Sequence, residues 1–280
     1  MSRVIRSGLH RALVDVLRRT RRPDDGFPTA LDGRSEVEPT VVAALALQDD
    51  RALAWLEKRQ ATSGALDEKD GRVNGPTTAA LAALALVAPS AAQRSLAFAI
   101  RHRGLPLPNA PDPDRRYGWG WTTDTRSLVE PTARVLLAVN ARTPENDAVR
   151  EEAVAFMRER QCADGGWNFG NASVYDVDLK SYPQTTAVAL ISLQGVSADL
   201  TRPALRYLRR GWRLEPGGLT LAQTLVAFRL HGEQASVAGP LAALEGLATQ
   251  QAFRRRPLAV AWAVLATGPD VLLEPLRSRA

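Results

Sequence analysis

EPTVVAALAL, residues 38–47, returns in altered form along the chain: GPTTAALAALAL at 75–86, EPTARVLLAV at 130–139 and YPQTTAVALISL at 182–193. Two weaker copies follow, AQTLVAFRL at 222–230 and PLAVAWAVLA at 257–266. Aligning Thr40, Thr77, Thr132, Thr186, Thr224 and Val260 spaces them by 37, 55, 54, 38 and 36 residues. The extra length of the two long intervals is expected in loops, where insertions cost little. Each copy is apolar on nearly every side, which predicts a helix buried all round. Proline at or near the first position suits a helix start, where its missing N–H would have no partner anyway. The threonine beside it is expected to cap.

A second kind of segment alternates with the first: Val4–Arg19, Asp50–Gln60, Ala91–Arg103, Ala148–Gln161, Leu200–Trp212 and Ala238–Gln251. These are charged, with apolar residues three and four apart, as in Leu53 and Leu56, Ala153, Val154 and Met157, or Leu205 and Leu208. That is the pattern of a helix with one covered face. Buried helix followed by amphipathic helix, six times over, predicts an all-α fold. The arrangement is an (α/α)6 barrel or toroid, its inner ring of apolar helices wrapped by an outer ring, in one domain over residues 1–280. An open solenoid of the same pairs would bind along a concave face. Inner helices this apolar favour the closed ring.

The chain of 280 residues is 45% hydrophobic and 24% charged, the proportions of a soluble globular protein. No apolar run approaches the roughly 20 residues that span a bilayer. Arg6, Arg11 and Asp15 interrupt the first stretch, so no signal-peptide core is expected there. A lone cysteine, Cys162, excludes an internal disulfide and leaves the cytoplasm as the default compartment. The net charge of +6 comes from short arginine clusters at 18–22, 115–116, 206–213 and 254–256. No nucleic-acid-binding motif accompanies them, so no nucleic-acid partner is expected. Arg3, Arg6, Arg18, Arg19, Arg21 and Arg22 flank an apolar stripe of Ile5, Leu9, Leu13 and Val16. The stripe is expected to pack on the ring, with weak docking to an anionic membrane surface as a second role, which would place the protein at the membrane periphery.

QCADGGWNFG, residues 161–170, resembles the Gln–Trp repeat of the squalene cyclase and prenyltransferase β-subunit superfamily, in which Gln ends an outer helix and Gly-Gly-Trp opens the loop. Degenerate copies are DDGFP (24–28), QATSGAL (60–66), YGWGW (117–121) and PGGL (216–219). The segments TAVALISL and VAWAVLA resemble the superfamily's Thr-Ala-Trp-Ala-Leu inner helix. The likeness runs from Val4 to about Thr267 and implies an α/α barrel. It leaves the activity open, because the superfamily holds terpene cyclases, zinc prenyltransferases and non-enzymatic domains. The repeat also has a direct physical sense: a Gln side chain can satisfy loop carbonyls, and the Trp can pack on the end of the outer helix.

The enzymatic members imply residue sets that can be looked for one by one. Zinc prenyltransferases use an Asp-x-Cys pair and a distant His. Cys162 has no such Asp, and His10, His102 and His231 are scattered, so no metal is expected. Class II terpene cyclases carry Asp-x-Asp-Asp-Thr-Ala at an inner-helix start, where the central acid protonates an alkene. The nearest match is Leu128-Val129-Glu130-Pro131-Thr132-Ala133, with Glu130 in the place of the central Asp. Glu36-Val37-Glu38-Pro39-Thr40 places Glu38 equivalently in the first copy. Glu130 and Glu38 are the candidate catalytic residues; both lack the flanking Asp, and an acid at a helix start is also favoured by the macrodipole alone. Glycosidase barrels need two cavity-facing carboxylates, which these two could supply, although the Gly-Gly-Trp repeats point elsewhere. The thioester-domain reading fails because Cys162 stands in no Gly-Cys-Gly-Glu-Gln context.

Aromatics make up 6% of the chain and are nearly absent from the inner helices, Phe228 and Trp262 apart. They sit in the loops before the third and fourth inner helices, among Asp124, Arg126, Asp176, Asp178 and Lys180. The end of the barrel where inner helices begin is therefore the expected mouth of a site. Its candidate ligand-binding residues are Tyr117, Trp119, Trp121, Thr132, Trp167, Tyr175, Asp176, Asp178 and Tyr182, with Trp119 and Trp121 equally readable as repeat lids. Asp176 and Asp178 leave a magnesium–diphosphate site open. Two functions remain: a barrel that binds an isoprenoid or other elongated apolar ligand, extending to a terpene cyclase with a reduced acid motif, and a non-enzymatic scaffold for a ligand or protein. Neither calls for a cofactor.

Overall fold

The computed structural model describes residues 3–66, 75–105, 118–143 and 146–279, with side chains from residue 8 onward. Each apolar copy is a helix: α2 (Val37–Leu47), α4 (Pro76–Ala85), α6 (Val129–Arg142), α8 (Pro183–Ser192), α10 (Gly218–Leu230) and α13 (Pro257–Thr267). The amphipathic segments are α1 (Arg3–Arg19), α3 (Asp50–Glu57), α5 (Pro89–Arg101), α7 (Asp147–Glu159), α9 (Ala198–Gly211) and α11 (Ala238–Ala248), the last followed by the short α12 (Gln251–Arg254). Inner helices pack in the order α2, α4, α6, α8, α10, α13, and α13 returns to α2. The ring is closed. From α3 to α11 each outer helix folds back on the inner helix before it, and α1 covers α13. Leu9, Leu13 and Val16 of α1 pack into the core there, so the apolar stripe is used by the ring itself. The fold is the expected all-α toroid, with one two-stranded hairpin added, β1 (Ser173–Val174) and β2 (Val177–Asp178). Among the described residues no single helix is long and apolar enough to cross a membrane.

The Gln–Trp repeat is a clamp between neighbouring hairpins. Gln161 Nε2 donates to the carbonyls of Gly165, 2.8 Å, and Leu200, 2.9 Å, tying the loop after α7 to the start of α9. Gln60 does the same two hairpins earlier, to Ala91 O and Ser95 Oγ. Trp119 and Trp167 are fully buried, and their indole N–H groups donate to Ala99 O and Met157 O at the ends of α5 and α7. Gly165 turns the loop at φ +93°, where a Cβ would also run into Pro203.

Thr40, Thr132 and Thr186 do not cap their helices, contrary to expectation. Each sits at the fourth helical position and accepts the backbone N–H of Phe27, Trp119 or Trp167 at 2.9–3.0 Å, pinning the incoming loop across the inner helix. Thr224 does not share that role. α10 begins at Gly218, inside the PGGL segment, so Thr224 lies a turn further along and its buried hydroxyl has no partner.

The two ends of the toroid differ. Beyond α13 the 3-10 turn Asp270–Leu276 crosses the C-terminal ends of α2, α4 and α6 and buries Leu272, Leu273 and Leu276. Terminal carbonyls there, which a helix cannot satisfy internally, accept from Arg142 (Leu84, Leu86), Arg229 (Leu265, Ala266) and Gln194 (Ile191, Leu276). That end is sealed. The loops and the candidate residues gather at the other.

Candidate functional site

In each inner helix the second and sixth residues lie one turn apart on one face. The second residues are Glu38, Thr77, Glu130, Gln184, Leu219 and Leu258; the sixth are Val42, Leu81, Arg134, Val188, Gln223 and Trp262. Two observations turn this face toward the ring axis. Arg134 of α6 reaches Glu38 of α2 although α4 stands between those helices. On the other side Gln184, Leu219 and Leu258 line one groove of about 430 Å3 together with Thr29 and Arg256.

Arg134 organises the mouth. Its Nη2 lies 2.8 Å from Glu38 and 2.6 Å from Glu130. The two carboxyl oxygens are therefore at most 5.4 Å apart, the two contacts laid end to end. Burial disfavours the guanidinium charge, but the two carboxylates outweigh that and hold Arg134 above the ordinary arginine value. It is a permanent cation between two acids. The Trp121 ring stands 5.1 Å from the guanidinium, so an aromatic face, 41% exposed, roofs the cluster. The loop bearing it is fixed by Thr77, whose hydroxyl donates to Gly120 O at 3.0 Å.

The structure thus brings both candidate acids, Glu38 and Glu130, to one guanidinium. Three candidate ligand residues are corrected. Trp119 and Trp167 are sealed under their loops, and Thr132 is fully buried with its hydroxyl on Trp119 N–H, so none offers surface to a ligand. Tyr117 lies outside the described residues. Tyr182 remains open at the start of α8, its ring 5.0 Å from that of Phe169, and Phe169 O accepts from Val129 N–H at the start of α6. Tyr175 and Asp176 form the tip of the hairpin, both at positive φ, and Asp178 lies on β2. Among the described residues no group of three or more His, Cys, Asp or Glu converges on a point where a metal could sit. Cys162 is buried, which pushes its thiol up from the ordinary value.

Sequence reading did not single out Arg134, Gln184 or Gln223, and it noted Trp262 only as an inner-helix aromatic. The signal was present: each is a polar or aromatic residue within an otherwise apolar helix, at a position fixed by the helix start.

Searched by sequence, the chain matches no family model and no curated protein. Searched by structure, it is similar to the type II terpene cyclase MstE from Scytonema in complex with merosterolic acid A, at 18% identity and TM-score 0.62 over 97% of each chain. The ent-copalyl diphosphate synthase from Streptomyces platensis gives 16% identity and TM-score 0.56 over 83% of this chain and 50% of that one. A reducing-end-xylose releasing exo-oligoxylanase complexed with xylobiose gives 10% identity and TM-score 0.59 over 99% of this chain and 95% of that one. What these proteins share with the chain is the fold, an α/α toroid.

Proposed function

We propose that this toroid binds an isoprenoid or comparably elongated apolar molecule through the N-terminal mouth of its inner ring. The observation that carries the reading is the make-up of the axial face: one charged cluster at the mouth, Glu38–Arg134–Glu130 under Trp121, with Val42, Leu81 and Val188 at the depth of Arg134. An apolar pocket with a few convergent polar groups is the usual form of a small-molecule site. MstE, on the same fold, is described in complex with geranylgeranyl dihydroxybenzoate as substrate, which supports an apolar chain as the occupant.

The cluster suits anchoring better than alkene protonation. An acid that protonates an alkene must hold its proton until the substrate arrives. Glu130 is instead held by the Arg134 guanidinium 2.6 Å away and lacks the flanking Asp of the cyclase motif. Binding without turnover is therefore the favoured outcome, and a cyclase with a reduced acid motif is the alternative that the test must address. A glycosidase reading has one observation behind it: a carboxyl separation of about 5–5.5 Å suits retaining chemistry, and the bound here is 5.4 Å. Against it, one arginine holds both carboxyls.

The test is incubation of the purified protein with linear isoprenoids from farnesyl to squalene length, their diphosphates, and xylo-oligosaccharides, followed by extraction and mass spectrometry. Retention of an unchanged isoprenoid supports the proposal. A cyclic product lost in Glu130→Gln establishes the cyclase alternative. Sugar cleavage, or retention of no isoprenoid, overturns the proposal.

A further inference from the structure

At the depth of Arg134 the axial layer carries two more groups able to hydrogen-bond, on the far side of the ring. Gln223 is the sixth residue of α10 and Trp262 the sixth of α13, on adjacent, closely packed helices. Gln223 is 1% exposed and Trp262 6% exposed. Gln223 Oε1 and Trp262 Nε1 both lack a hydrogen-bond partner. Leu219 and Leu258, one turn nearer the mouth on the same face, line the 430 Å3 groove.

A buried polar atom left unpaired costs folding free energy, and two on one face of a well-packed ring call for a reason. The corresponding positions of α2, α4 and α8 show that an aliphatic side chain fits this layer: Val42, Leu81 and Val188. The unpaired atoms are complementary as well, since Gln223 Oε1 accepts and Trp262 Nε1–H donates.

We infer that this pair is a subsite for a hydroxyl group carried by the apolar ligand, an inference that rests on the ligand-binding reading above. The hydroxyl donates its proton to Gln223 Oε1 and accepts from Trp262 Nε1–H, so one small group satisfies both atoms. A carbonyl or ether satisfies the indole and leaves the amide oxygen unpaired. A diphosphate offers acceptors only, and meets a cluster across the ring in which two carboxylates exceed one guanidinium by a single negative charge. The ligand class is therefore an isoprenoid alcohol or similarly hydroxylated apolar molecule.

The experiment is a competition. Geranylgeraniol, its diphosphate and the hydrocarbon with hydrogen in place of the hydroxyl are offered at equal concentration, and the retained fraction is read by mass spectrometry. The alcohol is expected in excess over the hydrocarbon by about tenfold or more, because a site built around a hydroxyl penalises the analogue that lacks it. Gln223→Leu and Trp262→Phe should each bring that ratio close to one. Melting curves show that the variants fold, and Gln223→Leu decides alone if Trp262→Phe does not. A ratio near one in the unaltered protein, or preference for the diphosphate, overturns the hydroxyl subsite and leaves the apolar-binding reading standing. Retention of no isoprenoid at all overturns both.

Discussion

Replacing Arg134 by methionine tests the reasoning about the mouth most directly. The change keeps an unbranched side chain in place and removes the cation from between Glu38 and Glu130. Two anions at most 5.4 Å apart repel by about 3 kcal/mol at an effective permittivity of about 20. Breaking a buried ion pair from one side costs about 3–5 kcal/mol in general. The low end applies, because the Glu38 side chain is 27% exposed and keeps part of its hydration. At about 2–4 °C per kcal/mol for a chain near this length, Tm at pH 7 should fall by roughly 6–12 °C. Thermal melts of both proteins at pH 7 check this. A gap under about 2 °C refutes the claim that Arg134 neutralises a buried carboxylate pair.

Gln161→Ala removes two hydrogen bonds that join the α7 loop to α9; at about 0.5–1.5 kcal/mol each, calorimetry should show a loss of roughly 1–3 kcal/mol with ligand retention unchanged. His231 Nε2–H donates to Leu190 O at 2.7 Å, and burial holds the imidazole below its ordinary value. Its contribution to stability is therefore complete above about pH 6.5 and lost as pH falls, because the unfolded chain takes the proton first. His231→Gln should flatten the fall in Tm between pH 7 and pH 5.5, though His10, shifted the same way by burial, keeps part of that slope; an unchanged slope contradicts the assignment. Cys162, with its thiol pushed up by burial, should react slowly with a thiol reagent at pH 8 in the native protein and at the full one thiol per chain after denaturation; fast native labelling disproves its burial.

The sequence alone determined the order and kind of helices, because a helix covered on all sides and one covered on a single face differ in composition at every turn. Six of each, in alternation, favoured a closed toroid over an open solenoid of the same pairs, and QCADGGWNFG marked the loop that clamps neighbouring hairpins. The register within the copies was less legible. Thr77 and Thr224 align with Thr186 as letters, yet a helix start moved by a few residues gives them other neighbours. The site was legible only in part, for a geometric reason. Glu130 and Arg134 are four residues apart and announce a pair, but Glu38 lies far away in sequence and joins them only when the ring closes around its axis. Likewise the loop aromatics looked alike in sequence, and tertiary packing divided them. Trp119 and Trp167 each have an outer-helix carbonyl within reach of the indole and are sealed, whereas Trp121, two residues past the clamp, lies over a charged cluster and stays open. Gln223 and Trp262 required most of the tertiary structure, since an unpaired polar atom is defined by what its neighbours in space fail to provide, and those neighbours come from helices remote in the chain.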